Sequence, residues 1–104
     1  MVKNMALFRL EPGRRSLSDH YQGIGKNITL NNPIKYRAID VSHHGLGCVI
    51  EGVIGTGNLI TLQLGQSKVA FEVMWVESHL GIENHFRVGL LSSDHSLDID
   101  RLFY

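Results

Sequence analysis

The feature that most constrains the fold of this chain is a two-residue alternation of apolar and polar side chains between residues 34 and 90. Successive side chains of a β-strand point to opposite faces, so this period predicts strands that bury one face. Glycine-containing turns separate the runs at residues 55–58 and 65–67. Short alternating runs with such turns predict an antiparallel barrel or sandwich. The apolar positions are Ile34, Tyr36 and Ala38; Leu46, Cys48 and Ile50; Ile60, Leu62 and Leu64; Val69, Phe71, Val73 and Trp75; Phe86, Val88 and Leu90.

The first 25 residues lack this alternation. Residues 5–8 are apolar, Pro12-Gly13 marks a turn, and two further glycines at positions 23 and 25 disfavour a helix. We predict an arm or loop packed on the rest of the domain, followed by a short strand near residues 26–30. The apolar arm would dock either on its own barrel or on a second copy of the chain, as in a homodimer.

The period changes again after residue 92. Ser93 or Asp94 is a suitable N-cap for a short helix over residues 93–104. A chain of 104 residues fits one domain, 1–104, made of the arm 1–25, a barrel 26–92 and this helix. The apolar side chains that would cover one barrel opening are Leu97, Leu102 and Phe103.

Composition restricts the classes of partner. Ten basic and ten acidic residues give zero formal charge, which argues against binding DNA or RNA. Cys48 is the single cysteine, so no intramolecular disulfide forms, and the six histidines lack metal-site spacing, so we predict no metal and no cofactor. No stretch approaches the ~20 apolar residues of a membrane span, and polar residues interrupt the N-terminus, so a signal peptide is not expected. We therefore expect a cytoplasmic protein.

A polar turn stands out at residues 40–45, Asp40-Val41-Ser42-His43-His44-Gly45. Asp40 and Ser42 share a parity, so in an extended strand both point to the same face. Gly45 can adopt a positive φ or allow close approach of a ligand. The set would hydrogen-bond a polar ligand, and the same residues also form an ordinary Asp/Ser/Gly loop. We expect no enzymatic activity, because Ser42 has no nucleophile elbow and no orienting acid apart from its neighbour Asp40.

Together with Arg14-Arg15, which follow the Pro12-Gly13 turn, this turn resembles part of a PilZ domain, a family of small bacterial receptors for cyclic di-GMP. Asp40, Ser42 and Gly45 match its D/N-x-S-x-x-G motif, and the arginine pair resembles the opening of its RxxxR motif. Residues 73–76 and 86–90 resemble its tryptophan-bearing strand and its glycine-bearing closing strand. The resemblance covers residues 9–92 and implies a mainly β fold, a six-stranded antiparallel β-barrel with a short C-terminal helix.

The resemblance also implies a nucleotide-binding site. Arg14 and Arg15 would contact the phosphates or the guanine edge of cyclic di-GMP, because guanidinium groups pair bidentately with both. Asp40 would accept from guanine N1 and N2, Ser42 would donate to a phosphate, and Gly45 would permit close approach. Three further residues are candidates to line the pocket: Arg9, His43 and His44.

The arginine motif departs from the family pattern. Ser18 and Asp19 stand where a second arginine is expected, four residues after Arg14 and Arg15. The implied function is a single-domain signalling receptor, or adaptor, that binds cyclic di-GMP and relays the signal to a protein partner. The alternative is a degenerate PilZ-like adaptor that binds no nucleotide and acts by protein contact in pilus, motility or secretion systems.

Overall fold

Seven strands account for most of the described residues, as the alternation predicts. The computed structural model describes residues 14–18 and 20–103; Arg9 and the apolar residues 5–8 of the predicted arm lie outside them. A 3-10 helix, Ile99–Phe103, follows the last strand. The strands are β1 Arg15–Ser16, β2 Gln22–Asn27, β3 Asn32–Val41, β4 Gly45–Glu51, β5 Leu59–Leu64, β6 Ser67–Ser78 and β7 His85–Ser92.

The strands close into a six-stranded antiparallel barrel, which confirms the predicted fold class. The order around the barrel is β3-β2-β5-β6-β7-β4, and β4 pairs back onto β3. All pairings are antiparallel. The extra strand β1 pairs with β3 at Asp40 and Val41, beyond the end of β2. Closure pairs the edges of the sheet, which would otherwise attract other chains.

The barrel interior holds the apolar face that the sequence predicts. Phe71, Leu46, Ile50 and Leu90 are fully buried there. Burial of one side chain of this size contributes about 1.5–3 kcal/mol. The C-terminal 3-10 helix adds Ile99 and Phe103 to the same core, while Leu97 and Leu102 pack against it half-buried. Of the helix predicted over residues 93–104, only Ile99–Phe103 is helical, as a 3-10 helix, and the predicted caps Ser93 and Asp94 lie in the connection before it.

The barrel begins at Gln22 rather than at residue 26. Gly23 and Gly25, for which the sequence indicates a loop, lie in β2. Glycine suits these strand positions because the Tyr36 ring and strand β5 come close to them. A Cβ on Gly25 would overlap the backbone oxygen of Thr61. The predicted strand over 26–30 ends at Asn27, and a turn follows.

Two β-bulges decide which side chains reach the outer face. Register shifts occur between Ala38 and Asp40 in β3 and between Val73 and Trp75 in β6. Each inserts one residue, so the side chains that follow the bulge point to the face opposite to the one that continued alternation would assign them. The prediction that Trp75 continues the inner stripe is therefore wrong. Val73 belongs to the barrel core, whereas Trp75 is buried on the outer face.

No helix in the described ranges has the length and apolar character needed to cross a membrane.

Candidate functional site

One row of residues crosses four neighbouring strands on the outer face of the barrel. The register pairs Asp40 of β3 with Gly47 of β4, Gly47 with Gly89 of β7, and Gly89 with Trp75 of β6. A Cβ on Gly47 would overlap the Asp40 carboxylate, and a Cβ on Gly89 would overlap the Trp75 indole. The Asp40 and Trp75 side chains therefore lie over a floor of two glycines.

Two arginines meet the Asp40 carboxylate, whose side chain is only 9% exposed. Arg14 Nη2 donates to Asp40 Oδ2 at 2.5 Å. Arg87 Nη2 lies 3.6 Å from the same oxygen. Two guanidinium groups therefore face one carboxylate, and Glu77 of β6 stands opposite Arg87 in the register. Guanidinium groups are the side chains that pair most readily with anionic groups such as phosphate.

The polar atoms of this cluster are not all satisfied. Within the described residues, Asp40 Oδ1 and Arg87 Nε are buried without a hydrogen-bond partner. A buried polar group left unpaired costs about 1–3 kcal/mol, and such groups are few in folded proteins. The cluster therefore contains one buried acceptor and one buried donor that the described residues leave without a hydrogen bond.

The two neighbouring arginines point to different places. Ser16 pairs with Asp40 and Arg15 with Val41, so alternation places Arg14 on the outer face and Arg15 at the barrel end. Arg15 Nε donates to Asp100 Oδ1 at 2.6 Å, and its Nη2 donates to the Phe103 carbonyl at 2.9 Å. The structure brings Arg14 to Asp40, whereas Arg15 anchors the C-terminal 3-10 helix.

Ser42 and Gly45 hold the motif turn together. The Gly45 N–H donates to Ser42 Oγ at 3.2 Å, and the Ser42 N–H donates to the Gly45 carbonyl at 3.0 Å. Ser42 is 1% exposed. Gly45 is not among the described glycines with positive φ, so its use here is the start of β4 rather than a left-handed turn.

The two motif histidines face the C-terminal segment. The backbone carbonyls of His43 and His44 accept from the N–H groups of Ile99 and Ser92, each at 2.8 Å. His43 Nδ1 lies 3.1 Å from Asp98 Oδ1, and this hydrogen bond holds the pKa of the Asp98 carboxyl below its ordinary value. The described residues contain no group of three or more His, Cys, Asp or Glu side chains that could hold a metal ion.

Arg87 is the site residue that sequence reasoning missed. The alternation in segment 86–90 points to the apolar positions Phe86, Val88 and Leu90, whereas Arg87 and Gly89 share the opposite parity. Their shared outer face was therefore available from the sequence. Their meeting with Asp40 was not, because it depends on the pairing of β4 with β7.

Fold and cluster together define a small antiparallel β-barrel with two arginines gathered at a buried carboxylate on its outer face. Comparison with protein-family models, with curated proteins and with solved structures gives no match. The PilZ resemblance therefore stays a prediction that depends on the motif residues.

Proposed function

We propose that this chain is a receptor for cyclic di-GMP that relays the signal to a protein partner in the bacterial cytoplasm. The observation that carries the proposal is the meeting of Arg14 and Arg87 at the buried Asp40 carboxylate, one of whose oxygens has no hydrogen bond within the described residues.

The donors of a guanine base suit the Asp40 carboxylate. Guanine presents N1–H and N2–H side by side, and a carboxylate accepts such a pair with its two oxygens. An arginine guanidinium presents a similar pair of donors, and Arg14 already uses Asp40 Oδ2. On binding, guanine would take the place of Arg14 at Asp40. Arg14 would then be released to pair with a phosphate of the same ligand.

Arg87 would supply the second guanidinium that the broken RxxxR spacing lacks. It comes from β7, on the far side of β4 from Asp40, and reaches the same carboxylate. Two arginines match the two phosphates of cyclic di-GMP in charge. Gly47 and Gly89 leave room for the Asp40 carboxylate and the Trp75 indole to lie flat against the sheet, so both side chains would face a base bound over them.

Movement of Arg14 would transmit the binding of the ligand to the rest of the chain. This residue lies directly before β1, so its exchange between Asp40 and a phosphate would move the chain that precedes the barrel. A ligand shifts such an equilibrium only by its difference in affinity for the two arrangements. Here that difference would be the phosphate contact of Arg14, which only the released arrangement can make.

The alternative function is an adaptor that binds no nucleotide. The short Arg14–Asp40 ion pair and the use of Arg15 by the C-terminal helix favour it, because both would then be structural contacts. Ligand binding distinguishes the two functions.

Isothermal titration with cyclic di-GMP, with GTP and cyclic di-AMP as controls, tests the proposal. We expect selective binding to the native chain. Asp40→Asn and Arg87→Gln should each weaken it about 10- to 100-fold, the usual cost of one charge-assisted hydrogen bond. Arg101→Gln is the matched control, since this arginine is 78% exposed on the 3-10 helix and pairs only loosely with Asp98. Absence of heat and an unchanged melting temperature would refute the receptor and leave the adaptor.

A further inference from the structure

A concavity lies on the same outer face, beside the Asp40 cluster. Two register rows form its floor: one contains Gln22, Arg37 and Val49, and the next contains Lys35 and Glu51, with Ile24 at the rim. The connection between β6 and β7, residues 79–84, forms one wall. The cavity measures about 530 Å³, within the range of sites for small organic molecules.

The rim of the cavity is apolar and exposed. Ile24 is 65% exposed, Leu80 81% and Ile82 48%, and all three line the cavity. Leu80 also has a φ of 55°, a left-handed conformation that disfavours a bulky side chain. Strain of this kind concentrates at functional sites, where the surrounding structure maintains it.

Hydrogen bonds hold this wall in place. The His79 N–H donates to the His85 carbonyl at 3.0 Å, and the Ile82 N–H donates to the His79 carbonyl at 3.0 Å. Leu80 and Ile82 are therefore presented by a hydrogen-bonded connection.

The floor of the cavity favours an anion. Lys35 and Arg37 both line it, and Glu51 is its single carboxylate among the described residues. His85 Nε2 lies 3.8 Å from Glu51 Oε1, so an imidazole nitrogen stands beside the one carboxylate of the described lining. A ligand with a negative group over the floor and an apolar body against the rim would complement both parts.

We propose that this cavity binds a small organic anion: an apolar ring or acyl body against Leu80 and Ile82, and a carboxylate, sulfonate or phosphate against Lys35 and Arg37. The site is distinct from the Asp40 cluster, which offers a carboxylate acceptor to a base. Val49 separates the two, since Arg37 and Arg87 flank it in one register row. The proposal does not depend on cyclic di-GMP binding.

Titration of the full chain with 8-anilinonaphthalene-1-sulfonate, followed by fluorescence, tests the site with a probe of the proposed chemistry. We expect saturable binding of one probe per chain. Leu80→Gly should weaken it roughly tenfold by removing apolar contact, and glycine suits the positive φ at this position. Lys35→Gln should weaken it about two- to fivefold, as loss of an exposed ion pair does.

Two matched variants outside the cavity should leave probe binding unchanged: Leu59→Ser, at an apolar side chain that is 51% exposed, and Lys68→Gln, at an exposed lysine. Unsaturable binding would overturn the proposal. So would an affinity in both Leu80→Gly and Lys35→Gln that equals the affinity of the native chain. Displacement of the probe by cyclic di-GMP together with loss of probe binding in Asp40→Asn would also overturn it, since the cavity would then belong to the nucleotide site. If Lys35→Gln weakens probe binding and the native chain does not bind cyclic di-GMP, the result would support this site and refute the receptor function.

Discussion

At the scale of single residues, Gly47 determines where the Asp40 carboxylate lies. A methyl group at this position would overlap that carboxylate. Gly47→Ala should therefore displace Asp40 from Arg14 and lower the free energy of unfolding by about 1–3 kcal/mol, as overpacking does. Urea unfolding measures the loss. Gly55→Ala is the control, because only the Asn58 side chain lies near its Cβ, at 3.8 Å, and it should change stability by less than about 0.5 kcal/mol.

Cys48 should make the fold sensitive to alkali. Burial raises the pKa of its thiol above the ordinary 9.0, and the nearby Asp40 charge raises that pKa further, while Arg87 lowers it. The unfolded chain therefore releases this proton first, so the stabilisation is complete below pH 9.0 and is lost as pH rises above it. We expect the free energy of unfolding to fall by up to about 1.4 kcal/mol per pH unit, and Cys48→Ala to flatten that slope. An unchanged slope would contradict this assignment.

A second tyrosine-dependent step should follow at higher pH. Burial, with a contribution from Cys48, raises the pKa of Tyr36 above 10.0, and its hydroxyl donates to the Gln63 carbonyl at 2.7 Å. By the same reasoning, stability should fall further above pH 10.0, and Tyr36→Phe should remove that part alone. Unfolding curves at several alkaline pH values separate the two steps.

At the scale of elements, the C-terminal 3-10 helix depends on Arg15. Its guanidinium bonds to Asp100 and to the Phe103 carbonyl. Arg15→Gln should speed hydrogen exchange at the Ile99 amide, which donates to His43, and cost about 1 kcal/mol after allowance for solvent exposure. Affinity for cyclic di-GMP should stay unchanged. A loss of affinity equal to that of Arg87→Gln would instead place Arg15 in the ligand site.

The β6 bulge places the single tryptophan, Trp75, where its fluorescence should respond to a ligand at the Asp40 cluster. Trp75 lies over Gly89 of the neighbouring strand β7, two strands away from Gly47 and three from Asp40. Binding at the cluster should therefore change its fluorescence, with GTP as the control ligand. Silence of the tryptophan during a titration that calorimetry detects would contradict the proposed position of the base.

The sequence predicts which residues form strands more completely than it predicts which side chains face the barrel interior. The alternation at Ile60, Leu62 and Leu64 predicted a buried stripe that the structure contains. The bulges at Ala38/Asp40 and Val73/Trp75 leave no mark in that alternation, because the partner strands select them.

At the scale of the whole molecule, barrel closure assembles the candidate site. The site combines Arg14, which directly precedes β1, with Asp40 of β3 and Arg87 of β7. Arg87 reaches the other two only because β4 pairs with β7, which is distant in sequence. Local patterns could therefore identify Asp40 and Arg14 but could not join them to Arg87. Because the pairing of β4 with β7 also closes the barrel, a ligand bound at the cluster should raise the stability of the fold.

A ligand held by β3 and β7 should stabilise the closed barrel as a unit. At a concentration 100 times its dissociation constant, a ligand adds about 2.7 kcal/mol, which for a domain of this size raises the melting temperature on the order of 10 °C. Calorimetric melting with cyclic di-GMP, against cyclic di-AMP, measures the shift. Equal shifts with both nucleotides would argue against guanine recognition by Asp40.

The glycine floor has a consequence for how this surface would respond to mutation. Alanine scanning ordinarily subtracts atoms and assigns importance to what was removed. At Gly47 and Gly89 the same substitution adds a carbon where the Asp40 and Trp75 side chains already lie. The surface is thus specified partly by the absence of side chains at two positions, and a mutational survey that skips glycines would leave both of them unseen.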